Sequence, residues 1–248
     1  MRVLSIDLDY IMGPTIELYS NTGWDDNAST RWEKFYYESS VKEEELFCDK
    51  KNLLWIFRHY VKAIENCSSV SFAYDHDNIL YSIQDFEDVD IINVDHHHDI
   101  LYPQLFDKEV VVKNLRWNYH DVKDNCSIDE GCWIAWLRSK DKLKSYTWVT
   151  NQNAINDTSD LQIKYFTGLI PKFRAVTREN YDITDHNFDH VHVCLSPQYM
   201  PKSHWHYFLM FVSAYEAKSG QKVDLNEISN KKFETNIRHL NVTNEILY

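Results

Sequence analysis

Closely spaced cysteines are missing from this sequence. Cys48, Cys67, Cys126, Cys132 and Cys194 form no Cys-x-x-Cys pair, which excludes a structural zinc site built on cysteines. An odd number of scattered cysteines fits a reducing compartment, so the expected location is cytoplasmic. Glycine and proline are scarce, five of each in 248 residues, which leaves little room for a long flexible linker. There is no internal repeat, no low-complexity segment and no apolar run long enough to cross a bilayer. The start of the chain lacks a signal-peptide core and enters Val3-Leu4-Ser5-Ile6 directly. Positive charge is in deficit: 26 Lys and Arg face 38 Asp and Glu, for a net charge of −12. That balance argues against nucleic acid as the main partner and would favour the approach of a cationic substrate.

What is present suits one globular domain spanning 1–248. Hydrophobic residues make up 44%, and the length supports a sizeable core. Apolar spacing through Leu46, Leu53, Leu54, Ile56, Phe57, Val61 and Ile64 predicts a helix over 43–66. Further helices are expected over 131–137 and over 205–218, the latter ending at Gly220. Strands are expected at 3–6, 70–74, 90–94, 145–150 and 191–195. Strands interleaved with helices predict a mostly parallel sheet covered on both faces, a three-layer α/β/α fold.

The chemistry concentrates at strand ends. Asp90-Ile91-Ile92-Asn93-Val94 runs into Asp95-His96-His97-His98-Asp99. If the chain stays extended there, Asp95, His97 and Asp99 share one face, with His96 and His98 structural on the other. Arg2-Val3-Leu4-Ser5-Ile6 runs into Asp7-Leu8-Asp9, and Val70-Ser71-Phe72-Ala73-Tyr74 into Asp75-His76-Asp77. Each segment alone is ordinary, since acidic residues are common in turns. Together they bring two histidines and four carboxylates to the carboxyl ends of strands, where open α/β sheets bind their ligands. Carboxylates with a minority of imidazole suit Mn²⁺, with Fe²⁺, Co²⁺ or Zn²⁺ as lesser candidates. Four carboxylates exceed what one ion collects beside two histidines, and they suffice for two ions if two aspartates bridge. A metal pair sharing a water makes hydroxide available near neutral pH, so hydrolysis is the implied reaction class.

Asp95-His96-His97-His98-Asp99 resembles the Asp-x-His-x-Asp motif of the arginase and ureohydrolase superfamily. Asp75-His76 resembles its Asp-His pair, and Ser5-Ile6-Asp7-Leu8-Asp9, followed by Pro14, its Ser-x-Asp-x-Asp segment. That last segment opens this chain, whereas in true arginases it lies late. With Glu130-Gly131-Cys132-Trp133 downstream, the order resembles a divergent arginase-like family that includes peptide arginases of ribosomal peptide maturation.

The resemblance implies two Mn²⁺ ions. One would be held by His76, Asp95, Asp99 and Asp7, the other by Asp95, His97, Asp7 and Asp9, with Asp95 and Asp7 bridging. It also implies an arginine-containing precursor peptide as partner, converted to ornithine with release of urea. Asp99 would hold the attacking hydroxide by a hydrogen bond.

A guanidinium pocket should offer a carboxylate. Glu130 is the first candidate; its alternative is a carboxylate stabilised at a helix N-terminus. His120 could pass a proton to the leaving amine or be a surface histidine. Asp75 and Asp77 could orient the His76 ring or form a turn. The segment 196–201 should loop over the same sheet edge and touch substrate, and His204 and His206 form a further histidine pair without nearby carboxylates. Three other readings compete: a ureohydrolase acting on a free guanidino compound such as arginine or agmatine, a deacetylase-like amidohydrolase with a single zinc, and a catalytically silent relative that only binds. No membrane partner is expected, and a homo-oligomer is left open.

Overall fold

The computed structural model describes residues 1–13, 28–100 and 131–230. Six strands form one all-parallel sheet: β1 (Arg2–Asp7), β2 (Ser69–Ala73), β3 (Val89–Val94), β4 (Leu143–Thr150), β5 (Arg174–Thr177) and β6 (His190–Cys194), in the order β2-β6-β1-β3-β4-β5. The helices are α1 (Ala28–Ser39), α2 (Lys50–Ala63), α3 (Leu80–Ile83), α4 (Trp133–Ser139), α5 (Gln152–Asp157), α6 (Asp160–Leu169), α7 (Trp205–Ser219) and α8 (Leu225–Asn230).

Strand alternation sends successive side chains to opposite faces, and each face carries its own core. Leu4, Ile6, Ile92, Val94, Val191 and Val193 pack under α1, α2 and α7 through Trp32, Phe35, Ile56, Tyr60, Phe208 and Phe211. On the other face Val3, Ile91, Tyr146 and Trp148 meet Leu80, Ile83, Trp133, Leu137 and Phe166 of α3, α4 and α6. The result is the expected three-layer arrangement. Each such side chain, fully buried, contributes about 1.5–3 kcal/mol.

Two features differ most from expectation, one helix start and one strand. The helix predicted over 43–66 begins only at Lys50, because the Asp49 carboxylate accepts from the amides of Lys51 (2.8 Å) and Asn52 (2.9 Å) and so caps α2 there. Glu43–Glu45 forms a separate 3₁₀ turn. The edge strand β5 was not foreseen; it has four residues, too few for a period to register. By contrast α7 ends where expected, on Gly220 at φ 72°, a left-handed conformation suited to glycine. No helix among the described residues is long and apolar enough to cross a membrane.

Because every strand runs the same way, all carboxyl ends gather at one edge. The register places Ile6 beside Val94, and Asp7 beside Cys194, which in turn lies beside Ala73. The first residues past β1, β2, β3 and β6 therefore meet at one level, and the candidate ligands fall there.

Candidate metal centre

Each ligand segment is shaped by its own carboxylates. Asp7 closes β1 and caps the following 3₁₀ turn (Leu8–Ile11), its Oδ1 accepting from Asp9 N at 3.1 Å. Asp9 is thereby turned inward, and both residues are buried. At the end of β3 the chain does not stay extended. Asp95 Oδ1 accepts from His97 N at 2.7 Å, and Asp99 takes a left-handed φ of 53°. Aspartate tolerates that region better than most residues. The face shared by Asp95, His97 and Asp99 is thus made by a folded loop rather than by strand alternation. His96 N donates to Asp9 Oδ1 at 3.1 Å, tying this loop to the β1 turn. Beyond β2, His76 opens a 3₁₀ turn (His76–Ile79) and is fully buried.

The side chains converge. His76 Nδ1 lies 3.3 Å from Asp7 Oδ2, 3.1 Å from Asp95 Oδ2 and 3.1 Å from Asp99 Oδ2. It is buried and makes no hydrogen bond of acceptable geometry with any of them. Three carboxylate oxygens around one such nitrogen form a cation cradle. The other ring nitrogen, Nε2, lies 2.7 Å from Ser5 Oγ; in the tautomer in which Nε2–H donates to that hydroxyl, the Nδ1 lone pair faces the carboxylates, as a metal ligand requires. His97 Nδ1 lies 2.7 Å from Asp9 Oδ2.

Two donor groups result. Ligand atoms of Asp7, His76 and Asp95 lie within 4.8 Å of one another, and so do those of Asp9, Asp95 and His97. Asp95 belongs to both. These buried groups can hold a metal ion, and the donor set, carboxylate oxygens with imidazole, is one divalent ions take.

A second layer of residues holds the ligands. Asn93 Nδ2 donates to Asp95 Oδ2 at 3.0 Å, and Trp133 Nε1 donates to Asp99 Oδ2 at 2.6 Å. Ser196 Oγ donates to Asp7 Oδ2 at 2.5 Å from a left-handed backbone, φ 48°. The Tyr199 ring packs 4.5 Å from His97. Sequence reasoning had not assigned Ser5, Asn93 or Trp133 a role. A signal existed for the first two: each is a polar residue two positions before a ligand aspartate, hence on the same face of an otherwise apolar strand, and the register pairs them.

The remaining candidates separate. His98 Nδ1 accepts from Ile100 N at 3.1 Å and its ring packs 4.7 Å from Phe166. Burial and neighbouring His97 push the His96 and His98 rings down to about 3, so both stay neutral. Asp75 accepts from Gln198 Nε2 at 3.1 Å, while the His76 ring is set by Ser5. His204 and His206 have ring centroids 6.5 Å apart, and each uses Nδ1 on Ser203. The segment 196–201 does reach the centre, through Ser196 and Tyr199. Glu130 and His120 lie outside the described residues, as does Pro14.

The electrostatics share one cause. Burial raises Asp7, Asp9 and Asp99, and like charge adds to it at Asp7 from Asp9 and at Asp9 from Asp95. Asp95 is pushed up to about 7 by burial and by Asp99 and Asp7. Burial alone would lower the two imidazoles, but Asp99, Asp7 and Asp95 hold His76 well above its ordinary value, and Asp9 does the same for His97. Among the described residues, the ion pairs these four carboxylates make are with His76 and His97. Four buried acids against two imidazoles leave negative charge that a bound cation would relieve.

No protein-family model matches the chain, and no curated protein or solved structure does either.

Proposed function

We propose that the chain is a binuclear manganese hydrolase that converts peptidyl arginine to ornithine, releasing urea. The observation that carries this reading is the sharing of Asp95 between the two donor groups, the arrangement a bridging carboxylate requires. The oxygen-rich set favours Mn²⁺ over zinc. When bound, a metal pair supplies Lewis acidity and lowers the pKa of a shared water, so that hydroxide is available near neutral pH.

The chain's own groups would do the rest. Water oxygen bonds to the guanidinium carbon, the bond from that carbon to the substrate Nε breaks, and a proton passes to the departing nitrogen, which becomes the ornithine amine. Asp99, whose Oδ2 accepts from Trp133 Nε1, is proposed to accept a hydrogen bond from the attacking oxygen. Glu130 is proposed to accept from the guanidinium N–H groups, and His120 to carry the proton to the leaving amine. His97 marks the way in: its side chain is 37% exposed, against 1% for His76. Action in the cytoplasm is in keeping with free thiols at Cys48, Cys67, Cys132 and Cys194.

The test is mass spectrometry of an arginine peptide incubated with Mn²⁺-loaded protein. Each converted residue should lose the mass of cyanamide (urea minus the water added), with urea appearing in equal amount. No mass change and no urea from any arginine peptide would overturn the reading; turnover of free arginine alone would replace it with an ordinary ureohydrolase.

A further inference from the structure

Beside the metal centre lies a cavity of about 190 Å³. Sites for drug-sized ligands run to roughly 300–1,000 Å³, so this one has room for a single long side chain. Its walls are aromatic: Trp32, Tyr36 and Trp205. Trp32 and Tyr36 stack with centroids 5.8 Å apart. Both indole N–H groups are spent on backbone, Trp32 Nε1 on Pro197 O (3.0 Å) and Trp205 Nε1 on Met200 O (2.9 Å). The tryptophans therefore offer the cavity ring surface rather than donors. Glu33, Glu43 and Lys202 supply the charged part of the lining, two carboxylates to one ammonium and so one net negative charge. Glu43 Oε1 accepts from Ser203 N at 2.8 Å, which fixes that carboxylate at the cavity. The Tyr36 hydroxyl is buried and has no hydrogen-bond partner among the described residues. Aromatic faces with net negative charge and no free indole donor favour a cation.

The cavity shares a loop with the centre. Ser196 holds Asp7 and Tyr199 packs on His97, while Pro197, Met200 and Pro201 form one wall of the cavity. Four residue steps from Ser196 to Met200 span at most about 14 Å, which an extended peptide covers in about four residues.

We propose that this aromatic and acidic cavity is an accessory subsite for a second basic side chain, lysine or arginine, within about four positions of the arginine being converted. The inference rests on the peptide reading above and names the kind of peptide it takes. It also accounts for a use of the loop 196–201 that the metal centre does not need.

The subsite can be tested without arginine. A capped Gly-Gly-Lys-Gly-Gly peptide and its norleucine analogue are titrated into the Mn²⁺-loaded protein, read by tryptophan fluorescence. The lysine peptide should bind about tenfold more tightly. That preference should fall to near equality in a Glu33→Gln/Glu43→Gln double variant and be weakened in Glu33→Gln alone, an exposed helix position whose change leaves folding intact. Equal affinity of the two peptides for the wild-type protein, or an undiminished lysine preference in the variants, overturns the proposal. A second arm uses arginine peptides carrying lysine or norleucine nearby: KM should be about tenfold lower for the lysine peptide with kcat unchanged, and equal KM counts against the subsite. Lysine preference in the first arm with no turnover in the second would retain the subsite while rejecting the hydrolase.

Discussion

The two edges of the sheet treat charge in opposite ways. At the amino-terminal edge Arg2 pairs with Asp185 and Lys142 with Glu87, each pair with an acid more than half exposed. Such pairs are solvated, screened and worth little. At the carboxyl-terminal edge Asp7, Asp9, Asp95 and Asp99 are almost wholly buried, with two imidazoles for company. Folding does not gain from burying like charges. The difference separates an edge whose charges stay in solvent from an edge that buries unfavourable charge which a cation could relieve.

The largest effect should come from the shared carboxylate. Asp95→Asn should cost more than about 100-fold in Mn²⁺ affinity and in activity, exceeding what loss of a supporting residue costs, while circular dichroism stays native. Metal analysis should fall from about two ions per chain toward none, and an unchanged ion content would erase the contrast between the edges.

Acidity sharpens the same contrast. Asp95 is favoured as the neutral acid in the metal-free fold, so its contribution to stability is complete below the ordinary carboxylate range and is lost as pH rises through about 7. His76 and His97, held above their ordinary values, act in the same direction: their contribution is present at acid pH and disappears as they shed their protons. Chelation should therefore lower Tm more at about pH 8 than at about pH 5.5, where protons already occupy the site. Calorimetry with and without chelator checks this, and an equal shift at both pH values would contradict it.

Ser5→Ala should weaken one ion by about 10–100-fold by freeing the His76 ring, seen as a split between two binding steps in a Mn²⁺ titration. A parallel loss at both steps would mean that Ser5 supports the fold and not the ring. At the opposite edge, Glu87→Gln should change stability by no more than about 1 kcal/mol, a Tm shift of about 2–4 °C at most, with metal content untouched.

Much of this was legible from the residues. Strand ends could be found because the apolar runs Val3 to Ile6 and Ile91 to Val94 break abruptly at aspartates, and chain direction in an α/β sheet then sends those ends to one edge. What was not legible is how the 95–99 loop turns. Asp99 reaches His76 through a left-handed backbone, with its carboxylate engaged by Trp133 from a helix far along the chain. Ser196 is a similar case: nothing local marks a serine after β6 as a partner of Asp7, and only the strand order brings them together. Local sequence encodes which groups are available; sheet topology decides which of them meet.

That strand order has a consequence for assembly. The first strand and the strand preceding His76 are not neighbours; β6, formed roughly at residue 190, wedges between them. A nascent chain holding only its first half has both sets of ligands but not the spacer that sets their separation. Ion capture by the His76 group should accordingly await β6, and a fragment ending before His190 should lose Mn²⁺ binding there before it loses it at Asp9, Asp95 and His97, which come from the adjacent strands β1 and β3.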